Sequence, residues 1–406
     1  MTFADSVGTL LIVILALGLA ALPGRGRAPD DGQDHRYATL DGLRGLLAVF
    51  VMLSHASAWH KAAQHRGWGA DGRVFMHFGQ GSVALFFMIT AFLFVGRVVD
   101  SGKAHPIDWP RLYVSRVLRL TPLYWLAMCA MFGVLAFVTW QHIDGAGDGI
   151  VQREWSDILP AAGIWLGFCM LGEPAIDAYL NTPLIVAGVV WSMPFEWTFY
   201  LLLPIVALLL RKPLPTWALG LGLAGLLWVG LWQGQPAAIV ATPFLGGLVA
   251  VAAARSARVR AWACSTAGAC VAIASLAALV TLCDAPFGVA PLLLQTIAFC
   301  VIASGNDLFG LLTSRAARTL GALSYGVYLF HGIVLYLTFM VIVGMPRATT
   351  FAPWLHWCVV AVALTVLLGL AHVAHRRVEL PAMRAVGPLM ARLRARRERR
   401  RQDAAG

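Results

Sequence analysis

Four segments of this chain place ionisable groups inside otherwise apolar stretches, where such groups are costly and so mark candidate chemistry. The first is TLDGLRGLLAVFVMLSHA, residues 39–56. On a helix, Arg44 and His55 fall nearly on one face, with His55 about 16 Å further along. Asp41 lies about 60° round from Arg44, within i,i+3 reach. An imidazole at that depth suits proton transfer. The plainer alternative is an anchoring Arg and a His bonded to a neighbouring helix, and spacing alone leaves both open. The second segment is YVSRVLRLTPLYW, residues 113–125. Arg116 and Arg119 point together on a helix, and paired guanidiniums suit phosphate; simple anchoring is the alternative. Thr121-Pro122 reads as the N-cap and first residue of the next span.

The third is WSMPFEWTFYLLLP, residues 191–204. Glu196 would enter from the outer face, only about 7 Å along the helix from Trp191. A carboxylate there would accept a hydrogen bond from a sugar hydroxyl or orient a His; a helix-cap or interface Glu is the alternative. The fourth is LSYGVYLFHGIVLY, residues 323–336, with His331 well inside its helix. A lone membrane His is also compatible with a purely structural bond.

The elements that must position these groups follow from composition. Hydrophobic residues make up 59% and charged residues 13%, too apolar for one soluble core. Apolar runs of about 20 residues, enough to span the bilayer, recur along the chain. In hydrocarbon such runs must be helices. Eleven are expected: 6–22, 40–58, 75–96, 120–140, 191–210, 214–232, 237–254, 261–283, 286–304, 321–343 and 353–374. The class is an all-α polytopic membrane protein, about ten core helices plus one N-terminal apolar helix. The division is 1–36 for that helix and its linker, 37–380 for the membrane domain and 381–406 for a basic tail.

Run 6–22 reads as an uncleaved helix or a signal segment. Its first five residues lack Lys and Arg, and it ends at Arg25 and Arg27 rather than a small-residue cleavage site. Residues 158–171 are apolar but short, a re-entrant or interfacial piece or a full span. Arg36, Arg97, Lys103, Arg111, Arg211, Lys212, Arg255, Arg376 and Arg377 all fall on one side in this arrangement, which places the C-terminus in the cytoplasm. The formal charge of +11 therefore reflects topology, not nucleic acid. The tail ARLRARRERRRQ, residues 391–402, would touch anionic lipid. Seven Cys are scattered with no C-x-x-C pair and read as packing residues. No metal site is expected.

Together the four segments, with SVALFFMITAFLF at Ser82–Phe94, resemble the acyltransferase-3 family of integral membrane O-acyltransferases. The matching residues are Leu40-Asp41-Gly42-Leu43-Arg44-Gly45 and His55; Arg116, Arg119, Pro122, Tyr124 and Trp125; Trp191, Ser192, Glu196, Phe199, Tyr200 and Pro204; and Ser324, Tyr325, Tyr328 and His331. They occur in the family's order over roughly residues 37–380. Thr90-Ala91 departs from the usual Ser-Gly, and Gly332-Ile333 lacks the Pro often found after the last His. Residues 1–36 add an apolar run, and no large esterase-like domain follows, which implies a stand-alone membrane enzyme.

The resemblance implies transfer of an acyl group, most often acetyl, from cytoplasmic acyl-CoA to a hydroxyl of an envelope carbohydrate, glycolipid or metabolite. His55 would be the general base, with Glu196 and Asp41 in the catalytic set; a covalent acyl-His relay is the variant. Arg116 and Arg119 would hold the coenzyme, and Arg44 would hold the donor or stabilise the thioester oxyanion. Glu196 would orient the acceptor from outside, among Trp191, Ser192, Tyr200 and His331 on the substrate side. The location implied is a bacterial-type inner membrane. The rival reading is a transporter or flippase for a glycolipid or small solute, and acyl transfer by purified protein separates the two.

Overall fold

The structure is a computed structural model that describes residues 3–22, 37–102, 106–141, 155–176, 182–212, 214–231 and 237–403. Arg25, Arg27, Arg36, Lys103 and residues 142–154, with the expectations attached to them, lie outside the described residues.

The chain is an all-α polytopic membrane protein, and each of the eleven apolar runs forms helix. In chain order the main helices are α1 (Phe3–Ala21), α2 (Ala38–Ala63), α3 (Ser82–Asp100), α4 (Trp109–Trp140), α5 (Trp155–Leu166), α6 (Ser192–Leu209), α7 (Thr216–Leu231), α8 (Pro243–Ala253), α9 (Thr266–Leu282), α10 (Val289–Ala303), α11 (Arg315–Tyr336), α12 (Pro353–Ala374) and α13 (Val386–Asp403). Seven helices among the described residues are long and apolar enough to cross a membrane, or eight if the bent pair Ile239–Ala253 and Ala257–Ala263 is one span. The remaining apolar runs form shorter helices. Helices α7, α9 and α10 have 16, 17 and 15 residues, about 22–26 Å of rise against roughly 30 Å of hydrocarbon.

Helices α2 and α11 form the most intimate pair, packed side by side with backbones nearly touching. A Cβ at Gly42 would lie 1.9 Å from the Leu312 carbonyl oxygen, and one at Gly321 would lie 2.0 Å from that of Asp41. A Cβ at Gly45 would lie 2.5 Å from the Gly321 nitrogen. The glycines of the LDGLRG motif thus let two membrane helices approach as only small residues allow. Gly45 and Gly321 share a level, and His55 and His331 each follow ten residues later, about 15 Å along parallel helices. The crossing therefore sets the two imidazoles face to face.

Helix α1 buries Ile12, Ala16 and Ala20 at helical spacing and leaves Leu10, Leu11 and Ile14 exposed, one packed face and one apolar outer face. It lies against α12 and α11. Trp357 donates its indole N–H to buried Asp5 (3.2 Å).

One local expectation changes, and another narrows to one of its alternatives. Helix α4 runs unbroken through Thr121-Pro122, which therefore do not open it. The start is set at Asp108, whose carboxylate accepts from the Arg111 N–H (3.1 Å), with Pro110 in the first turn. Helix α5 has 12 residues, too few for a span. The chain turns back just after it, where Trp165 and Leu166 carbonyls accept from Tyr124 (2.6 Å) and Trp125 (3.0 Å), near the midpoint of α4. The segment dips in and returns, which fits the re-entrant alternative. Next to the end of α2, Arg66 forks onto Asp71 (2.9 and 2.6 Å), and those bonds hold the Asp71 carboxyl below its ordinary range.

Candidate active site

Helices α2, α3, α4, α6 and α11 enclose a cavity lined by Arg44, Arg116, Arg119, Glu196, Tyr200 and Tyr328. Its empty volume is about 810 Å³ counting the part open to solvent. Arg116 and Arg119 converge there as their i,i+3 spacing requires. The Arg116 guanidinium sits 4.9 Å above the Phe94 ring, and Arg97 approaches the same ring at 5.5 Å. Arg116 Nε is buried without a hydrogen-bond partner, so the fork has unused donor capacity. Arg44 faces the cavity and lies 4.0 Å from Asp41, whose side chain is 57% exposed. Asp41 is not among the cavity-lining residues; its backbone carbonyl meets Gly321.

Glu196 shares this cavity with the arginines instead of lying on the opposite side. The reason is that α6 begins inside the molecule. Its preceding segment has already descended, and a Cβ at Gly332 would lie 2.2 Å from the Val186 carbonyl carbon. Left-handed residues Ala187 (φ +54°) and Gly188 (φ +65°) then turn the chain into α6. The Glu196 carboxylate accepts from the Tyr200 hydroxyl, and Tyr113 donates to the Tyr200 carbonyl (3.1 Å), which ties α6 to the arginine turn of α4. Gly332, the first residue of the Gly332-Ile333 departure, is bare backbone that admits the descending segment. Ala91, the other departure, is fully buried against Gly247 of α8, which leaves room for its methyl.

His55 and His331 form a hydrogen-bonded pair, 3.2 Å from His55 Nδ1 to His331 Nε2. Each Nδ1 also faces a backbone carbonyl of its own helix, Val51 at 2.9 Å and Val327 at 3.1 Å. A carbonyl only accepts, so the network assigns a proton to both Nδ1 atoms. His331 Nε2 is then the acceptor for His55 Nδ1–H, and the Ala187 backbone is a further hydrogen-bond partner of His55. His331 is fully buried and His55 half-buried.

The pair does not line the cavity. Tyr328 stands between, its ring 6.1 Å from that of His331. Tyr328 donates to the Val189 carbonyl (2.7 Å), and its oxygen lies 2.7 Å from Ser192 Oγ. Ser192 is therefore engaged in this wall as the donor to Tyr328. Trp191 is edge-on to Phe87 and Phe195 and is not a lining residue. Of the residues singled out in the sequence, Arg44, Arg116, Arg119, Ser192, Glu196 and Tyr200 line one cavity and His55 pairs with His331 beside it, an assembly the sequence did not foresee. It missed Phe94, whose approach to Arg116 joins two helices, and Glu379, a buried carboxylate that pairs with His375 (2.8 Å) and acts electrostatically on Arg44. It also missed the stacked His60 and His356, 4.7 Å apart at the other end of α2. Among the described residues no three His, Cys, Asp or Glu are grouped as metal ligands.

A family model described as an acyltransferase domain, of the acyltransferase-3 type, matches residues 37–373. Nodulation protein 10 of Rhizobium leguminosarum bv. viciae is 28% identical over 192 residues, 46% of this chain and 48% of that protein. The chain thus spans about half the length of this curated relative. No solved structure matches.

Proposed function

From the premise that this chain belongs to the acyltransferase-3 family and is a membrane acyltransferase, we propose that it moves an acetyl group from acetyl-CoA to a hydroxyl of an envelope carbohydrate. The observation that carries this reading is the joint placement of three arginines in one cavity and the His55–His331 pair close behind its wall. In this reading the arginine end of the bundle faces the cytoplasm of a bacterial-type inner membrane, and the tail lies there too.

Arg116 and Arg119 bind the phosphates of the donor through charge-assisted bonds. The acyl arm then extends past Ser192 and Tyr328 toward His55, about 16 Å beyond the level of Arg44. His55 Nε2 removes the proton from the acceptor hydroxyl as its oxygen attacks the thioester carbonyl carbon. The tetrahedral oxyanion collapses, the carbon–sulfur bond breaks, and the imidazolium returns its proton to the departing thiolate. A positioned base of this kind contributes typically 10²–10⁴-fold. His331 holds the His55 ring and its tautomer. Glu196, bonded to Tyr200, positions the arginine cavity; the acceptor role expected of it passes to groups nearer the His pair.

The test has two parts. Purified protein should transfer label from [¹⁴C]acetyl-CoA to an envelope glycan fraction. Glycans from cells with the gene should carry an added acetyl mass that cells without it lack. Acetyl-CoA left intact, with unchanged glycans, would contradict the proposal.

A further inference from the structure

Glu173 lies outside the spanning helices, on the returning limb that follows α5. The limb is fixed firmly. Trp165, fully buried, donates its indole N–H to the Pro174 carbonyl (2.9 Å), and Tyr124 donates to the Trp165 carbonyl (2.6 Å). Phe168 stacks on Tyr124 with ring centroids 4.3 Å apart. Left-handed Phe168, Cys169 and Gly172 shape the turn, a conformation that is costly for the two residues with side chains.

On this rigid limb the Glu173 carboxyl has one oxygen, Oε1, buried with no hydrogen-bond partner. A buried, unsatisfied carboxylate oxygen is costly, so it is expected to have a task. Its charge acts on Tyr124 of α4, Cys169 of its own limb and Tyr328 of α11, and among the described residues none of these is a cation. Tyr328 is the side chain that separates the arginine cavity from His331. The charge of Glu173 on Tyr328 thus ties the limb to the wall beside His331.

We infer that Glu173 is the acceptor-side carboxylate, accepting a hydrogen bond from a hydroxyl of a carbohydrate acceptor and holding a neighbouring hydroxyl toward His55. This rests on the transfer reading above. Burial raises the Glu173 carboxyl to about 7. The charged form is the stronger acceptor of hydrogen bonds, so acceptor binding strengthens as pH rises through that value.

The experiment uses the purified full chain, [¹⁴C]acetyl-CoA and the methyl glycosides of glucose, galactose, mannose and N-acetylglucosamine, offered separately between about pH 5.5 and 8.5. Glu173→Gln should raise the acceptor KM about tenfold or more while the acetyl-CoA KM stays put. The fall of acceptor KM with rising pH, seen in the unmodified protein, should vanish, and Glu173→Asp should be intermediate. Unchanged acceptor KM and pH profile would overturn the assignment. Loss of acetyl-CoA binding together with acceptor binding would make Glu173 a support of the limb and overturn it too. If the unmodified protein acylates none of the glycosides, the carbohydrate acceptor fails first and the inference fails with it.

Discussion

Replacing Arg116 by Ala should weaken donor binding by an amount the structure sets. The guanidinium lies over Phe94 at 4.9 Å with its Nε unpartnered, and the residue lines the cavity. A hydrogen bond to a charged group contributes about 1.5–3 kcal/mol, which converts to roughly 10- to 150-fold in Kd. Loss of the ring contact adds about 0.5–2 kcal/mol only to the extent that it orders the fork. Arg116→Lys keeps the charge but loses the bidentate geometry, so it should fall between the two. The assay is equilibrium binding of [³H]acetyl-CoA to detergent-purified protein, repeated at low and high salt. Arg119→Ala should act similarly, and the double variant should bind too weakly to measure. Unchanged affinity in the double variant, with monodisperse elution, would refute the reasoning and leave both residues as anchors.

Gly321→Leu should abolish folded protein, because its Cβ would start 2.0 Å from the Asp41 carbonyl oxygen; elution as aggregate on size exclusion checks this. His331→Phe should leave the fold and acetyl-CoA KM intact while lowering kcat about ten- to hundredfold, since His55 Nδ1–H keeps only the Val51 carbonyl as partner. The Arg66–Asp71 fork, with side chains 45% and 26% exposed, should contribute about 1 kcal/mol or less. Asp71 is depressed in the folded state, so its contribution is complete above the ordinary carboxylate range and fades as pH falls through the folded value. Asp71→Asn should therefore lower the apparent Tm slightly at neutral pH and converge on the unmodified protein as pH falls through the folded Asp71 value.

Much of this was legible in the chain. Apolar run length locates a helix wherever hydrocarbon is the solvent, and i,i+3 spacing predicted that Arg116 and Arg119 would converge. What was not legible depended on contacts between distant segments. The depth of Glu196 was misread because nothing near residue 191 says that the chain has already descended; that follows from Gly332 admitting the Val186 backbone from another helix. The pairing of His55 with His331 rests on Gly45 and Gly321 setting the register of α2 on α11, a relation between positions 276 residues apart. Thr121-Pro122 looked like a helix start because its chemistry is that of one, yet Asp108 and Pro110 offer the same signals earlier. Glu173 gave no signal in the sequence, since a carboxylate in a polar loop is ordinary until the fold buries it.

Acyl transfer by purified His55→Ala, run beside His331→Ala and the unmodified protein, bears on the whole mechanism at once. His55→Ala should bind acetyl-CoA normally, elute as the unmodified protein does and show no transfer, because the imidazole that takes the proton is gone. His331→Ala should retain slow turnover. Near-normal turnover by His55→Ala, with His331→Ala inactive, would contradict the account and move the base to α11.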